Sequence, residues 1–401
     1  MLTLDDICSI KGRIGYRGYT KQDLVPKGEG AITLSPSNIQ GNKFNINSCT
    51  YISWFKYEES PEIMVFDGDI LFVKTGSTYG KVALVENLNE KATINPQFVV
   101  LKEIKCLNKY LFYVLITEYS QKQVGSIVGG TATPTLSQKN LGRLYIPIPP
   151  LSEQKQIVAI LDEAFEAIDQ AKANIERNIQ NAQELFQSKL NQVFSQKGEG
   201  WEETEIEAIC NKTKNIKWSD FPNSEFEYLD LSGVSRKTLT ITETTTINHV
   251  NAPSRAKKLI QKNDVLFATT RPTLKRVCIV PSELHNQICS TGYSVLRLKE
   301  KHFSSWLFYF LQSPDFMEKM EKIQRGASYP AVTDSDVKSH KVPINDSDII
   351  IKLVRELDDV RVYLNKLTLK YQQKLSNLEE LKKSLLQKAF EGELTSKAVE
   401  V

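Results

Sequence analysis

The chain has 401 residues, 41% hydrophobic and 25% charged, close to soluble globular averages, which excludes wholesale disorder and collagen-like repetition. That length exceeds one ordinary core and predicts two or three domains of roughly 100–200 residues each. The 51 Lys+Arg against 48 Asp+Glu leave a net charge of only +3, which excludes a histone-like polycation but not a local basic surface. Cys8, Cys49, Cys106, Cys210, Cys278 and Cys289 form no Cys-x-x-Cys pair and the histidines are scattered, so no zinc or other metal site is expected. The N-terminus lacks a cationic start followed by an apolar run, and no stretch reaches the roughly 18–20 apolar residues of a bilayer span. The expectation is a cytoplasmic chain with free thiols and no membrane partner.

In chain order, residues 1–150 are rich in β-branched and aromatic residues punctuated by Gly, Pro, Asn and Ser, the pattern of strands joined by loops. Between Asp6 and Asp23 lie Lys11, Arg13, Arg17 and Lys21 with interleaved glycines and tyrosines and no acid. Gly68-Asp69 is a turn signal before the strand ILFV, and a short helix is predicted over Asn108–Gln123. The run IPIPP at 146–150 ends the first domain, and a long helix follows over 151–197. Its predicted seam is Leu161, Ala164, Ile168, Ala171, Ile175, Ala182 and Leu185, broken by Asn178.

A second β-rich domain is predicted over 198–346, with Asn263-Asp264 before the strand VLFA and a helix over Ser304–Ile323. A second long helix then covers 347–392, before a tail at 393–401. Leu357, Leu364, Tyr371, Leu378 and Leu385 recur every seven, while Leu353, Val360, Leu367 and Leu381 form a second such series broken by Lys374. A narrow stripe of this kind suits a partner helix better than a globular core. Two independent surface helices are the alternative.

The chain repeats itself. Residues 68–85 lie over 263–280 with seven of 18 positions identical at an offset of 195, among them Asp69/Asp264, Phe72/Phe267 and Thr75/Thr270. Residues 130–147 lie over 326–343 at an offset of 196, sharing Gly130/Gly326, Pro134/Pro330 and Pro147/Pro343. The same offset brings the two seam breaks together, since 178 + 196 = 374. Chance similarity does not hold one register over so many landmarks, so the chain is a tandem duplication. The predicted fold is mixed α+β: two tandem domains, each followed by a long helix. Two helices of roughly 40 residues are about 60 Å long. Paired antiparallel, they would relate the domains by a pseudo-twofold axis, the symmetry with which dimeric DNA-binding proteins read two half-sites.

Local charge points to a nucleic-acid partner. From Thr244 to Ser282 seven basic residues, including Arg255, Lys257, Lys258, Arg271, Lys275 and Arg276, face the single acid Asp264, and Lys212, Lys214 and Lys217 make a third cluster. Lys and Arg with hydroxyl neighbours suit phosphate contact, and Arg can also read base edges. Solvated faces are the competing explanation.

Two catalytic motifs nearly form. Asn95-Pro96-Gln97-Phe98 resembles the Asn-Pro-Pro-aromatic signature of adenine methyltransferases, but the second proline is missing and no strand–Gly-x-Gly–helix site accompanies it. Pro314-Asp315 with Asp336-Val337-Lys338 has the spacing of a metal-dependent nuclease, yet the repeat partners of Asp336 and Lys338 are Asn140 and Gly142. Neither predicts an active site, and the chain is read as non-catalytic.

Gly68-Asp69-Ile70-Leu71-Phe72 with Gly76 and Gly80, then Pro149-Pro150-Leu151-Ser152-Glu153-Gln154 with Ile157-Val158, and finally Gly200-Trp201 together resemble the specificity subunits of type I restriction–modification enzymes over essentially the whole chain. The second copy departs in having Asn263, Arg271 and Lys275 for Gly68, Gly76 and Gly80, and Asn345-Asp346-Ser347-Asp348 for PPLSEQ. The resemblance implies that this partner is double-stranded DNA, with two target-recognition domains reading a bipartite, asymmetric target. It also implies two modification subunits carrying S-adenosylmethionine, and restriction subunits using ATP and Mg2+, with no cofactor bound by this chain. A stand-alone bivalent DNA-binding protein and a coiled-coil scaffold are the alternatives.

The loop after each GDILF-like strand is expected to approach DNA: Lys74, Thr75, Ser77, Thr78 and Lys81 in one copy, Arg271, Thr273, Lys275 and Arg276 in the other. Thr131 and Thr133, and Ser328 and Tyr329, are candidates on a second loop, and Lys11, Arg13, Arg17, Lys212 and Lys214 complete the set.

Overall fold

A computed structural model describes residues 1–130, 133–195 and 198–396. The chain divides into two compact units, Met1–Ile175 with Gln373–Val401, and Glu176–Gln372. Each unit therefore holds one β-rich domain with part of both long helices.

In the first unit, strands β1 (Ser9–Lys11), β2 (Ile70–Val73), β3 (Val82–Leu84) and β4 (Phe98–Lys102) form an antiparallel sheet in the order β3-β2-β4-β1. A five-stranded mixed sheet lies beside it, in which Ala92–Ile94 runs parallel to Gly30–Leu34 and antiparallel to Met64–Val65. The apolar run ILFV is buried on both faces because side chains alternate along a strand. Ile70 and Phe72 join the core that includes the long helices, whereas Leu71 and Val73 join the core of the mixed sheet.

The second unit repeats this plan with β5 (Cys210–Asn211), β6 (Val265–Ala268), β7 (Val277–Ile279) and β8 (Tyr293–Leu298), ordered β7-β6-β8-β5. Its second sheet again contains one parallel pair, Phe226–Leu229 with Gln287–Ser290. Val265 and Phe267 face the helix-bearing core, and Leu266 and Ala268 the other. The duplication thus extends to how each strand divides its side chains between two cores.

Equivalent polar contacts anchor each domain to its helices. The Tyr110 hydroxyl donates to the Pro147 carbonyl at 2.9 Å, and the Trp306 indole donates to the Pro343 carbonyl at 2.8 Å. Tyr113 donates to Asp162 and Tyr309 to Asp358, so one tyrosine in each unit holds a carboxylate of a long helix.

The short helices correct the sequence reading. Asn108–Gln123 is two helices, Asn108–Ile116 and Glu118–Ile127, because Thr117 is extended and its hydroxyl caps the second by accepting from the Ser120 amide. Ser304–Ile323 breaks likewise into Ser304–Phe310 and Pro314–Ile323, where Ser313 is the cap and Pro314 opens the new helix.

The long helices span Leu151–Phe194 and Ser347–Phe390. Lys172 pairs with Glu379 at 2.5 Å in the first unit and Lys189 with Glu356 at 3.4 Å in the second. Within the first unit alone, Lys172 meets Glu379 and Phe165 meets Lys382, so numbers fall along one helix as they rise along the other, which is antiparallel pairing. Leu161, Ile168, Ile175, Ala182, Leu357 and Leu364 are buried as expected, and Ala164, Ala171, Val360, Leu367, Tyr371, Leu378 and Leu385 are partly buried.

The seam nevertheless departs from a strict seven-residue repeat beyond the polar breaks. Asn178 and Lys374 are exposed, and Ile179 and Leu375 turn inward instead. Leu185 and Leu381 are then 59% and 46% exposed, while their C-terminal neighbours Phe186 and Lys382 turn in. A straight helix of 3.6 residues per turn drifts about 20° per heptad, so a long stripe must move to the next residue. Both helices move at equivalent positions, since 185 + 196 = 381. Lys382 fills its place by laying its ammonium 4.6 Å from the centre of the Phe165 ring, and burial lowers its pKa from the usual lysine range.

Candidate nucleic-acid interface

The loop after β2 and the loop around Gly130, singled out separately in the sequence, meet at one end of the first domain. The Gly76 amide donates to the Pro134 carbonyl at 3.0 Å, the Leu136 amide to the Lys74 carbonyl at 2.8 Å, and Thr75 bridges to Thr135. The second domain repeats each contact: the Arg271 amide to Pro330 at 2.6 Å, the Val332 amide to Thr269 at 2.9 Å, and Thr270 against Ala331.

Gly68, Gly76 and Gly80 have φ of +90°, +102° and +83°. Their repeat partners Asn263, Arg271 and Lys275 keep positive φ at +71°, +51° and +52°, although the last two carry long side chains. The loop conformation is therefore retained despite the substitutions, at a cost of roughly 1–2 kcal/mol for each non-glycine residue. In the first domain the same change at Gly80 would require the Gln121 side chain to shift. A β-carbon there would lie 2.6 Å from Oε1 of Gln121, whose side-chain amide donates to the Gly80 carbonyl. Position 317, the repeat partner of Gln121, is methionine.

The candidate residues divide between solvent and fold. Ser77, Lys81 and Thr133 are exposed, Thr75 and Thr78 partly so, and Thr131 lies outside the described residues. Lys74 is half-buried, and desolvation lowers its pKa from the usual range. In the second domain Arg271, Thr273, Lys275, Ser328 and Tyr329 are exposed, whereas Arg276 is partly buried.

The Arg271 guanidinium lies 4.6 Å from the centre of the Tyr329 ring and donates from Nη2 to the Ser328 carbonyl at 3.2 Å. Three candidates chosen from two separate segments thus form one assembly.

Arg13 serves the fold instead. It is 8% exposed, and its guanidinium donates to the Ile94 carbonyl, the Thr93 hydroxyl and the Arg17 carbonyl. Arg17 pairs with Glu62 at 3.4 Å, and Lys11 is partly buried on β1. Lys212 and Lys214 are exposed on the segment after β5, where Asn215 bridges to Lys258. Lys258 in turn donates to the Tyr293 carbonyl and pairs with Asp334 at 2.7 Å, beside the foot of the loop.

Sequence reasoning named Gln97 only within the methyltransferase-like motif and missed its place beside the loop. Its carbonyl accepts from the Lys74 amide at 2.8 Å, and its side chain lies where a β-carbon on Gly76 would come within 3.3 Å. Asn95-Pro96-Gln97 is a local turn, in which the Gln97 amide donates to Asn95 Oδ1 at 3.0 Å. The turn chemistry of Asn before Pro was the available signal.

The nuclease-like carboxylates also have structural partners. Asp315 pairs with Lys319 at 2.7 Å, while Asp336 accepts from the Thr333 amide and pairs with Arg325. No cluster of metal-ligating side chains occurs among the described residues. Nor is any described helix long and apolar enough to cross a membrane.

The model of the type I restriction modification DNA specificity domain matches the chain twice, over residues 2–181 and 198–388. The chain belongs to this family. It is a specificity subunit, the non-catalytic part of a type I restriction enzyme.

Among curated relatives, the EcoKI specificity subunit of Escherichia coli is 22% identical over 401 residues, covering 94% of this chain and 84% of its own. The MjaVIII specificity subunit of Methanocaldococcus jannaschii is 25% identical over 308 residues, covering 71% and 70%. The HsdS subunit from Thermoanaerobacter tengcongensis has a similar fold, with TM-score 0.57 and 18% identity over 98% of this chain and 96% of that one. A chain solved in a study of complex assembly and conformational transition of the type I R-M system aligns with TM-score 0.75 and 18% identity, over 98% and 97%. The specificity subunit therefore has both domains and both long helices of its family.

Proposed function

We propose that each unit presents its two-loop end to one half of a bipartite, asymmetric double-stranded DNA target. The paired helices fix the unread gap between the halves and seat two modification subunits, which methylate adenine with S-adenosylmethionine. Restriction subunits using ATP and Mg2+ join that assembly, and this chain binds no cofactor.

The observation that carries this reading is the two-loop end itself. The same backbone bonds build it in each unit, from Gly76 to Pro134 and from Arg271 to Pro330, while the outward side chains differ. A constant scaffold with variable polar tips suits two readers that descend from one ancestor and recognise different bases.

The test is to produce the specificity subunit with its modification subunits and map methylated adenines across a genome. A two-part motif with unlike halves and a fixed gap is expected. A single uninterrupted motif, or methylation independent of this chain, would contradict the reading.

A further inference from the structure

We propose that Arg271 reads a guanine in the half-site of the second domain and that Tyr329 is its positioning residue. This rests on the two-loop ends being the DNA readers and adds the base and the side chain that recognises it.

Four observations converge. First, position 271 keeps the left-handed backbone of its glycine counterpart, with φ of +51° against +102° at Gly76. Disfavoured conformations bearing a side chain concentrate where that side chain has work to do. Second, the backbone of Arg271 is pinned by its amide bond to Pro330 at 2.6 Å. Third, the guanidinium is held on the exposed face of Tyr329, itself 70% exposed, and by the Ser328 carbonyl at 3.2 Å. Fourth, Arg271 forms no ion pair with a carboxylate among the described residues.

An arginine has five N–H donors in a planar fork, and the Ser328 bond uses one. The remainder leave a bidentate edge free. Guanine presents O6 and N7 to the major groove in matching geometry, which makes Arg–guanine the commonest specific contact to a base. A phosphate contact needs charge but not a fixed plane, and exposed Lys275 can supply it. Stacking and backbone pinning reduce the side-chain freedom lost on binding, which favours directional base readout.

The duplication provides an internal comparison. The first domain has Gly76 and Thr133 at the positions of Arg271 and Tyr329, so it has no such pair. The signature belongs to one half-site only.

The experiment compares methylation motifs and rates for the assembled methyltransferase carrying wild-type chain, Arg271→Ala, Arg271→Gly, Arg271→Lys, Tyr329→Phe or Tyr329→Ala. Arg271→Gly restores the residue the repeat carries at this φ, so folding is retained even if Arg271→Ala misfolds. Discrimination at one guanine position should fall about 5- to 150-fold in the Ala and Gly variants. Lysine should rescue only partly, because it lacks the fork. Tyr329→Phe should keep the preference and Tyr329→Ala weaken it, with the other half-site unchanged throughout.

A uniform loss over all sites, with the motif intact and a shallower salt dependence, would assign Arg271 to a phosphate and overturn the proposal while leaving DNA recognition standing. A wild-type two-part motif in which neither half loses a guanine preference would also overturn it. Absence of any two-part motif in the wild type would instead fail the underlying reading.

Discussion

The shift in the helix seam makes two pairs of leucines, matched in residue type and repeat position, behave oppositely. Leu161 and Leu357 are each 0% exposed, whereas Leu185 and Leu381 are 59% and 46% exposed, although the sequence places all four on the predicted seam. Truncating a fully buried leucine to alanine removes transfer free energy and leaves a cavity, at a cost of about 3–5 kcal/mol. Leu161→Ala should destabilise the first unit, and Leu357→Ala the second, by that amount.

For a unit near 200 residues, about 2–4 °C per kcal/mol gives a fall in thermal midpoint of roughly 6–20 °C. Leu185→Ala and Leu381→Ala should cost no more than about 1.5 kcal/mol, because only about half of each side chain leaves water. Thermal unfolding of the isolated chain, followed by circular dichroism at 222 nm (the usual helix band), separates the cases. Equal destabilisation by all four substitutions would restore the strict heptad and refute the shifted seam.

Lys275→Gly should raise stability by up to about 1 kcal/mol through relief of its left-handed backbone, while weakening DNA binding, read by paired thermal melts and DNA titrations. Loss of stability with DNA affinity unchanged would contradict that exchange. All six thiols are free, and burial raises the pKa of each, Cys8, Cys210 and Cys278 to about 12 and Cys106 to about 11. Thiol-specific labelling at pH 8 should therefore be slow in the native chain, with less buried Cys49 reacting before Cys289, and fast after unfolding; native Cys289 labelling as quickly as unfolded chain would refute its burial. Deleting seven residues from one long helix shortens it by about 10 Å and displaces pairs such as Lys172–Glu379. Assembly should be disturbed or the gap in the methylated motif altered, and an intact complex with an unaltered target would reject a spacing role for the helices.

The duplication was legible because two offsets, 195 and 196, held over separated landmarks. Those same offsets describe the strand order, the Tyr113–Asp162 and Tyr309–Asp358 contacts, and the loop bonds. Local patterns carried less. Asn108–Gln123 reads as one helix because Thr117 resembles any mid-helix threonine until its hydroxyl is seen accepting from Ser120. Leu185 satisfies the heptad in one dimension and fails only when helical drift is followed through Asn178.

The candidate site was partly visible for the same reasons. Arg271 and Tyr329 could be chosen by chemistry, but nothing at a separation of 58 residues (329 − 271) marks their stacking. Charge alone also selected Arg13, whose guanidinium is consumed by backbone carbonyls and a threonine hydroxyl. Proximity in a basic run does not distinguish a ligand-facing cation from one that closes a domain.

The most direct test of separate reading by the two domains is to exchange residues 271–276 for the sequence of 76–81 and remap methylated adenines. The expected result is a two-part motif with one half changed and the other half and the gap retained. A motif altered in both halves, or in neither, would contradict it.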